Sequence, residues 1–230
     1  MLSRELIKEA LHKALSTGAD YAEIFAEHTQ SKNISNISGK TEKIGDSVIS
    51  GVGIRIFKGT RCVSGSASSL AKEAVLGCAA KVADALSGAC DTSDIILRER
   101  LFGDIHPIKI VPASVENSYK TDFLRELCLG AKGYSDEISQ VSGSYVEVDH
   151  KILIATSEGL LAQDRQIRTR VSVSSVASKN GENQTGRVSP GARKGLELFE
   201  LLDPKTLGMV PSSMAVTFGF AICIPSFPTN

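Results

Sequence analysis

The sequence contains no tryptophan and only 5% aromatic residues, and its 26 lysine and arginine residues balance 26 aspartate and glutamate residues, so its formal net charge is zero. Proteins that bind nucleic acid usually rely on basic surface and on stacking by aromatic side chains. The composition therefore argues against a nucleic-acid-binding module. The apolar run at 214–224 is shorter than the roughly 20 residues that a helix needs to cross a bilayer, so we predict no membrane anchor.

Disulfide and metal-binding patterns are absent as well. The five cysteines are odd in number and form no C-x-x-C pair, which favours reduced thiols over a disulfide framework. The four histidines are scattered, no two have the spacing of ligands on a helix, and no His-Glu pair occurs. We therefore assign no metal-binding and no catalytic residue to this chain. Residues 1–5 run directly into an amphipathic helix, so we expect no signal peptide and a cytoplasmic location.

The best-defined pattern lies at 51–68. Residues 51–57 carry apolar side chains at even positions and glycine, arginine or phenylalanine at odd positions, the period-two pattern of a strand with one face on a core. Lys58-Gly59 allows the chain to reverse, and 60–65 is predicted to return as a second strand. Small residues follow, and Ser68 or Ser69 is predicted to cap the next helix.

Gly51 and Gly53 are two residues apart, which invites comparison with a nucleotide-binding loop. A dinucleotide fingerprint needs a G-x-G-x-x-G sequence that opens a helix, whereas these glycines lie before or inside a predicted strand. Glycines in a strand relieve a crowded bend or let another backbone approach closely, and we favour that structural interpretation. Cys62 lies beside Arg61, but the sequence places no histidine to activate it, which disfavours a free-standing cysteine hydrolase.

The rest of the chain shows the same two kinds of pattern. The predicted helices, each with an apolar stripe, span 3–17, 69–87 and 119–132. The predicted strands span 20–29, 31–37, 41–44, 138–148, 151–156, 167–177 and 184–189. The predicted turns lie at Gly39-Lys40, Asp149-His150, 157–159 and Asn180-Gly181. Cys78 falls within the stripe of the second helix, so we expect a buried thiol there.

These elements repeat one plan, a helix followed by strands joined through tight turns. We predict an α+β fold with a mostly antiparallel sheet and helices grouped on one side. The first half of this plan is assigned to 1–88, a connector to 89–117, and the second half of the same domain to 118–208. The uncharged residues 209–230, which include three prolines, are set apart as an atypical tail that we expect to be poorly packed and prone to aggregation.

A basic stretch lies between 165 and 194. It contains seven lysine or arginine residues, among them Arg168 and Arg170, and one acid, Glu182. The favoured interpretation is the solvated face of a sheet, since exposed charge is often only solvation. The alternative is a groove for an acidic group or a C-terminal carboxylate of a peptide.

Five short motifs occur in a fixed order over residues 3–208. They are Gly-Ala-Asp-Tyr-Ala-Glu at 18–23, Gly-Val-Gly-Ile-Arg-Ile at 51–56, Gly-Ser-Ala-Ser at 65–68, Thr-Ser-Glu-Gly at 156–159 and Arg-Thr-Arg-Val-Ser-Val-Ser at 168–174. Together they resemble the amino-terminal domain of the TldD/PmbA family, whose members are also called modulators of DNA gyrase or microcin-processing proteases.

The resemblance implies a cytoplasmic, zinc-dependent peptidase that works as a dimer of related subunits, homomeric or heteromeric, on unfolded peptides. The family's catalytic H-E-x-x-x-H motif belongs to the following domain, and no residue of this chain matches it. We therefore expect no cofactor in this chain and zinc in the full-length protein. What the resemblance carries over is a scaffold role, in which an extended peptide pairs with an open strand edge.

Asp203 is predicted to cap a helix that has Pro204 at its first position. From 209 onward the sequence departs from the family pattern, because residues 209–230 contain no charged residue and no histidine. We expect a frame shift or an aberrant end before the metal domain, with a naturally short chain as the alternative. The leading function is the substrate-guiding and dimer-forming domain of a TldD/PmbA-like metallopeptidase. The alternatives are a non-catalytic, PmbA-like partner subunit that binds peptide and, less favoured, a nucleic-acid or gyrase-binding module. The candidate peptide-binding or structural residues are Gly51, Gly53, Arg55, Gly65, Arg168 and Arg170.

Overall fold

The computed structural model describes residues 1–86, 88, 94–101, 103 and 105–218. Within these residues the α-helices are α1 (Arg4–Leu15), α2 (Lys72–Asp84), α3 (Asn117–Lys132) and α4 (Pro204–Ser213). Short 3₁₀ turns span Pro112–Ser114 and Leu196–Leu201, and one π turn spans Met214–Phe218. The strands are β1 (Tyr21–Ile37), β2 (Lys40–Lys58), β3 (Arg61–Ala67), β4 (Arg98–Arg100), β5 (Ile138–Thr156), β6 (Leu160–Lys179), β7 (Glu182–Val188) and β8 (Gly191–Ala192).

The described strands form one sheet in the order β3-β2-β1-β5-β6-β4, and β7 and β8 also pair with β6. The pairs β2–β3, β6–β7 and β6–β8 are antiparallel, while the short β4 runs parallel to β6. Tight turns join β1 to β2, β2 to β3, β5 to β6 and β6 to β7, and only antiparallel pairs allow such turns. The predicted α+β class with a mostly antiparallel sheet is confirmed.

The chain divides into two compact units, and the long strands β1, β2, β5 and β6 contribute residues to both. The first unit contains 1–30, 47–105 and 149–166, and the second contains 31–46, 106–148 and 167–230. The sequence-based boundaries at 88, 117 and 208 stay predictions.

The first unit has a core between α1, α2 and one face of the sheet. Ser3 caps α1, because its Oγ accepts a hydrogen bond from the Leu6 N–H at 3.2 Å. The even-numbered apolar residues of β1 and β2 face both helices, so the helices lie on one side of the sheet. The buried strand residues of this core include Ala22, Ile24, Ala26, Val52, Ile54 and Ile56.

The second unit has a separate core between α3 and its part of the sheet. The predicted apolar face of α3 is confirmed, since Leu124, Leu127 and Cys128 are fully buried. Burial raises the pKa of the Cys128 thiol, as it does for Cys78 in the first unit, so both behave as small apolar side chains. The core also buries Lys120, whose ammonium group donates to Glu147 Oε2 at 2.7 Å.

Three predicted strand breaks are wrong. Residues 20–29 and 31–37 belong to the single strand β1, 41–44 and 51–57 to the single strand β2, and 138–148 and 151–156 to the single strand β5, so no turn exists at Asp149-His150. Asp149 instead accepts two hydrogen bonds from Arg165 of β6, at 2.9 and 2.6 Å. The polar pair that resembles a turn signal is thus used for pairing across strands. The turn predicted at Gly39-Lys40 lies one residue earlier, at Ser38–Gly39, while the turn predicted at Asn180-Gly181 is confirmed; all four turn residues have positive φ.

The predicted cap of the second helix is also wrong. The helix α2 begins at Lys72, and its N-cap is Ala71, which makes no side-chain cap hydrogen bond. The Ser69 hydroxyl accepts a hydrogen bond from the Ala71 N–H at 3.1 Å, so it stabilises the turn before the helix rather than the helix end. At α4 the predicted arrangement is confirmed, because Asp203 caps the helix through the Thr206 N–H and Pro204 occupies the first turn.

The expectation of a poorly packed tail is wrong for its first residues. Pro211, Ser212 and Ala215 are buried, and the Ser212 hydroxyl lies 2.8 Å from both the Ala131 carbonyl and the Ser175 hydroxyl. The helix α4 continues through Pro211 because its packing on α3 and β7 supports it. The remainder of the tail, 219–230, lies outside the described residues, as do residues 89–93, 102 and 104 of the predicted connector.

Candidate functional site

The hairpin formed by β2 and β3 contains most of the candidate residues. Its register runs from Val52 opposite Ala67 to Lys58 opposite Arg61, as the alternation in the sequence predicts. Gly59 has a φ of +56° and its N–H donates to Asp20 Oδ2 at 2.7 Å, which fixes the turn to the start of β1. The hairpin is therefore held in place at its turn as well as along β2.

The odd-numbered residues of β1 and β2 form a face of the first unit opposite to α1 and α2. Gly53 lies on this face, and a Cβ added there would meet no atom within 4 Å. Phe25 on the same face is 41% exposed, which is high for a phenylalanine. We call this surface, formed by Tyr21, Glu23, Phe25, Gly53, Arg55 and Phe57, the open face. The space over Gly53 permits close approach by another backbone.

Charged and aromatic side chains on the open face hold one another in position through hydrogen bonds and ring contacts. The Arg55 guanidinium donates to Glu23 Oε1 through Nε at 2.8 Å and also through Nη2. It lies 5.4 Å from the centre of the Phe57 ring, which itself packs against Tyr21 at 5.9 Å. Burial and the neighbouring Glu23 carboxylate raise the pKa of Tyr21, so that hydroxyl remains a donor. Arg55 is thus an ordered part of the surface, and its charge is already neutralised by Glu23.

The other two hairpin glycines serve the packing of the chain. A Cβ on Gly65 would lie 2.7 Å from Val82 Cγ2, so Gly65 allows α2 to approach β3. A Cβ on Gly51 would lie 3.3 Å from the carbonyl oxygen of Ala67, the last residue of β3. Gly51 therefore marks the point on β2 where pairing with β3 ends.

The strand β3 forms one border of the sheet. Among the described residues its only strand neighbour is β2, so its outer edge presents backbone N–H and C=O groups that no strand of that part of the chain pairs with. From Cys62 to Ala67 it carries no charge, and Ser64 and Ser66 are exposed. An edge of small, uncharged residues lacks the lysines and prolines that usually prevent strand addition.

Arg168 and Arg170 belong to the second unit, whereas the other candidates belong to the first. Both are exposed on β6, and the Arg170 side chain lies over Gly191 of β8, where an added Cβ would be 3.2 Å from its Nε. In the same basic stretch Arg165 is paired with Asp149 and Lys179 with Glu137. These ion pairs agree with a solvated sheet face, and the carboxylate groove stays a prediction.

A row of polar side chains crosses four strands of the first unit. His28 Nδ1 lies 2.7 Å from Ser50 Oγ, and the imidazole contributes to lowering the pKa of Asp149. Burial is the largest single influence and would raise that pKa, but the hydrogen bonds and charge of Arg165, together with the charges of Lys151 and His28, hold the pKa below its usual value. On the opposite face His150 Nε2 approaches Glu27 Oε2 at 3.3 Å. Sequence reasoning missed this row because the partners come from different strands.

The zinc implied by the resemblance has no set of ligands in the described residues. No three histidine, cysteine, aspartate or glutamate side chains there converge as a metal site requires. The whole sequence also lacks the H-E-x-x-x-H motif. The residues present do not fit a catalytic zinc ion. In the same described part of the chain, no helix has both the length and the hydrophobicity needed to cross a bilayer.

Two family models match successive segments of the chain. The family model of the PmbA/TldA metallopeptidase domain 1 matches residues 22–86, and that of the PmbA/TldA metallopeptidase central domain matches residues 110–215. The second match extends beyond 209, so the family pattern continues through α4, where the sequence analysis placed a departure. A metalloprotease TldD homolog from Haemophilus influenzae is 24% identical over 191 residues, which cover 80% of this chain and 39% of that protein.

Solved structures show the same fold. A putative modulator of DNA gyrase from Bacteroides thetaiotaomicron matches with a TM-score of 0.75 and 14% identity over 94% of this chain and 50% of that one. A putative modulator of DNA gyrase from Thermotoga maritima matches with a TM-score of 0.73 and 15% identity, over 94% of this chain and 48% of that one. TldE from Thermococcus kodakarensis matches with a TM-score of 0.61 and 17% identity, over 92% of this chain and 46% of that one. This chain spans about half the length of these structures or less. On the combined family matches, it belongs to the PmbA/TldD metallopeptidase family.

Proposed function

We propose that this chain is the substrate-guiding and dimer-forming part of a PmbA/TldD metallopeptidase. An unfolded peptide adds as a strand along the outer edge of β3, and a polypeptide that carries the zinc motif performs the hydrolysis. The observation that carries this proposal is the open, uncharged edge from Cys62 to Ala67. Strand addition uses backbone hydrogen bonds, so it suits a protease that accepts many unfolded sequences.

The open face adds contacts beside that edge. Phe25 offers an exposed apolar ring, and the space over Gly53 admits a second backbone without displacing any side chain. Because Arg55 is already paired with Glu23, the surface does not require an acidic peptide. The free thiols of Cys62, Cys78 and Cys128 agree with a reducing compartment such as the cytoplasm.

Peptide binding can be tested with lysine substitutions at the edge. We expect the double variant Ser64→Lys, Ser66→Lys to bind a fluorescent, neutral, unstructured peptide of about 15 residues at least tenfold more weakly, because edge lysines oppose strand addition. The matched control Ser118→Lys adds the same kind of charge to an exposed serine of α3 and should leave binding unchanged. Equal binding by all three proteins would show that β3 is not the peptide site.

A second candidate is a non-catalytic partner subunit that binds peptide in support of a zinc-bearing relative. The lack of an H-E-x-x-x-H motif in these 230 residues favours it as much as it favours a separate metal domain. Translation of the downstream DNA in all three frames distinguishes the two: an H-E-x-x-x-H sequence in TldD-like context supports the separate domain. Co-purification with a zinc-bearing relative, in the absence of such a sequence, supports the partner subunit.

A further inference from the structure

A strand added to the outer edge of β3 would have different surroundings on its two faces. In the β2–β3 register Ser64 lies opposite Arg55, and Ser66 lies opposite Gly53. Directly opposed residues project to the same side of a sheet, so both serines lie on the side of the open face, where they are exposed. The residues of β3 that project to the other side, which α2 covers, are Val63, Gly65 and Ala67.

The helix α2 lies directly over β3. A Cβ on Gly65 would lie 2.7 Å from Val82 Cγ2 and 3.5 Å from Cys78 Sγ, so these two side chains mark the side of the helix that faces the sheet. The Lys72 ammonium group lies 2.8 Å from Glu9 Oε2 of α1, which marks the side that faces α1. The flank of α2 on the far side from α1 therefore borders the open edge of β3.

That flank is a row of small residues. Successive residues of a helix are rotated by about 100°, so residues 74, 77, 81 and 85 share the side away from α1. Ala74 is half-buried, and the exposed members of the row are Gly77, Lys81 and Ala85. Three of the four have no side chain beyond Cβ, and Lys81 has an aliphatic stem that can cover apolar surface. We call the space between this flank and the outer edge of β3 the α2 groove.

We propose that the α2 groove selects peptides that carry apolar side chains at every second position. The inference rests on the proposed function, because it specifies the substrate class of the peptide site at β3. Backbone hydrogen bonds to β3 align the peptide as a strand, so its side chains alternate between the two faces. Those on the α2 side contact the half-buried Val63 and Ala67 and the flank at Ala74, whereas those on the other side lie beside the hydroxyl groups of Ser64 and Ser66 and stay hydrated.

This preference would distinguish unfolded from folded substrates. A segment with apolar residues at every second position is a strand with one face on a core. In a folded protein its apolar face is buried and its backbone is paired with neighbouring strands, so it is available only after unfolding. A charged side chain on the α2 side would lose hydration without gaining a partner, which disfavours it. The groove thus recognises unfolded, strand-forming segments by their pattern rather than by an exact sequence.

Two peptides of equal composition test the pattern. Both contain equal numbers of valine and serine between ends of mixed charge that keep them soluble. Valine and serine alternate in the first peptide, and they form repeated Val-Val-Ser-Ser units in the second. One register of the first peptide places valine at every position on the α2 side, whereas every register of the second places serine at half of them. Because each additional buried valine strengthens binding, we expect the unchanged chain to bind the alternating peptide roughly tenfold more tightly.

Matched glutamate substitutions in α2 test the groove itself. Ala74→Glu places a carboxylate on the flank that the peptide contacts, so we expect it to weaken binding of the alternating peptide roughly tenfold and to reduce the preference between the two peptides. Ala80 is also half-buried, but it lies on the side of α2 away from the sheet. Ala80→Glu should therefore leave both affinities unchanged. Circular dichroism establishes that both variants are folded.

The outcomes separate this inference from the proposed function. Equal binding of the two peptides by the unchanged chain, or equal effects of A74E and A80E, would overturn the α2 groove. If the double variant Ser64→Lys, Ser66→Lys still binds both peptides more weakly, the peptide site at β3 stands without the groove. If that double variant binds as well as the unchanged chain, or if neither peptide binds, both the peptide site and the groove are overturned.

Discussion

Three glycines inside helices are predicted to respond in opposite ways to the same substitution. A Cβ on Gly77 of α2 would meet nothing within 4 Å. On Gly130 of α3 it would lie 2.6 Å from the Lys205 carbonyl oxygen, and on Gly208 of α4 it would overlap the Leu127 carbonyl oxygen of α3. Gly130 and Gly208 thus allow α3 and α4 to pack with their backbones in contact.

The expected magnitudes follow from these distances. Glycine in a helix interior costs about 0.5–1 kcal/mol relative to alanine, so Gly77→Ala should stabilise the protein by that amount. At Gly208 the colliding atoms belong to the backbone and cannot rotate away. Overpacking typically costs about 1–3 kcal/mol, and a collision with backbone belongs at the upper end of that range. Subtracting a gain in helix propensity of up to about 1 kcal/mol leaves a net loss of about 2 kcal/mol. Gly130→Ala should lose a similar amount, since its collision is also with backbone.

Urea and thermal unfolding followed by circular dichroism measure these differences. We expect G77A and G208A to differ by about 3 kcal/mol, or roughly 6–12 °C in Tm for a chain of this size. Because α4 contains the first residues of the tail that the sequence alone marks as atypical, the experiment tests whether the start of that tail packs on α3. Unchanged or increased stability of both G130A and G208A would refute the close helix contact.

Three further outcomes are expected. Ending the chain at Gly208 should lower stability and soluble yield, because it removes buried residues of α4 and of the turn that follows; improved yield would contradict the packing. Lys120→Met should destabilise the protein by about 3–5 kcal/mol in urea unfolding, because it leaves Glu147 without the partner of a buried ion pair. The further change Glu147→Leu should restore much of that loss, and additive losses of the two substitutions would contradict the pairing. Asp149→Asn should lower stability at pH 7, because Arg165 contributes to lowering the pKa of Asp149 in the folded state. The loss of stability should shrink below pH 3.8, where the carboxylate of the unchanged protein becomes protonated. A loss that stays constant in urea titrations to about pH 2.5 would contradict this pH dependence.

Local signals are sufficient to predict the β2–β3 hairpin. Alternation over 51–57 and the Lys58-Gly59 reversal both act within a few residues, and the observed register follows them. The cap at Asp203-Pro204 is likewise predicted from adjacent residues. In both places the structure is determined by residues that are close in sequence, and there the sequence-based predictions are confirmed.

The missed features depend on partners from distant strands. Asp149 and His150 have the composition of a turn, yet Arg165 of β6 and Glu27 of β1 use them for cross-strand contacts within an unbroken strand. Local propensity favours a turn there, and tertiary pairing overrides it.

The pairing of Glu23 with Arg55 on the open face could have been predicted from the sequence. Both residues lie 16 positions from the turn glycine Gly39, so two unbroken strands leading from that turn bring them near each other. The prediction of separate strands before and after Gln30 concealed this relation, whereas the space over Gly53 requires coordinates.

The central claim is that this chain guides peptide while hydrolysis requires a metal bound elsewhere. The most direct measurement is hydrolysis of an unstructured peptide together with metal analysis by mass spectrometry, on this chain alone, on a zinc-bearing PmbA/TldD relative alone, and on the two mixed. The account predicts no stoichiometric zinc and no hydrolysis for this chain alone, and faster hydrolysis in the mixture than by the relative. Stoichiometric zinc and peptide cleavage by this chain alone would contradict it.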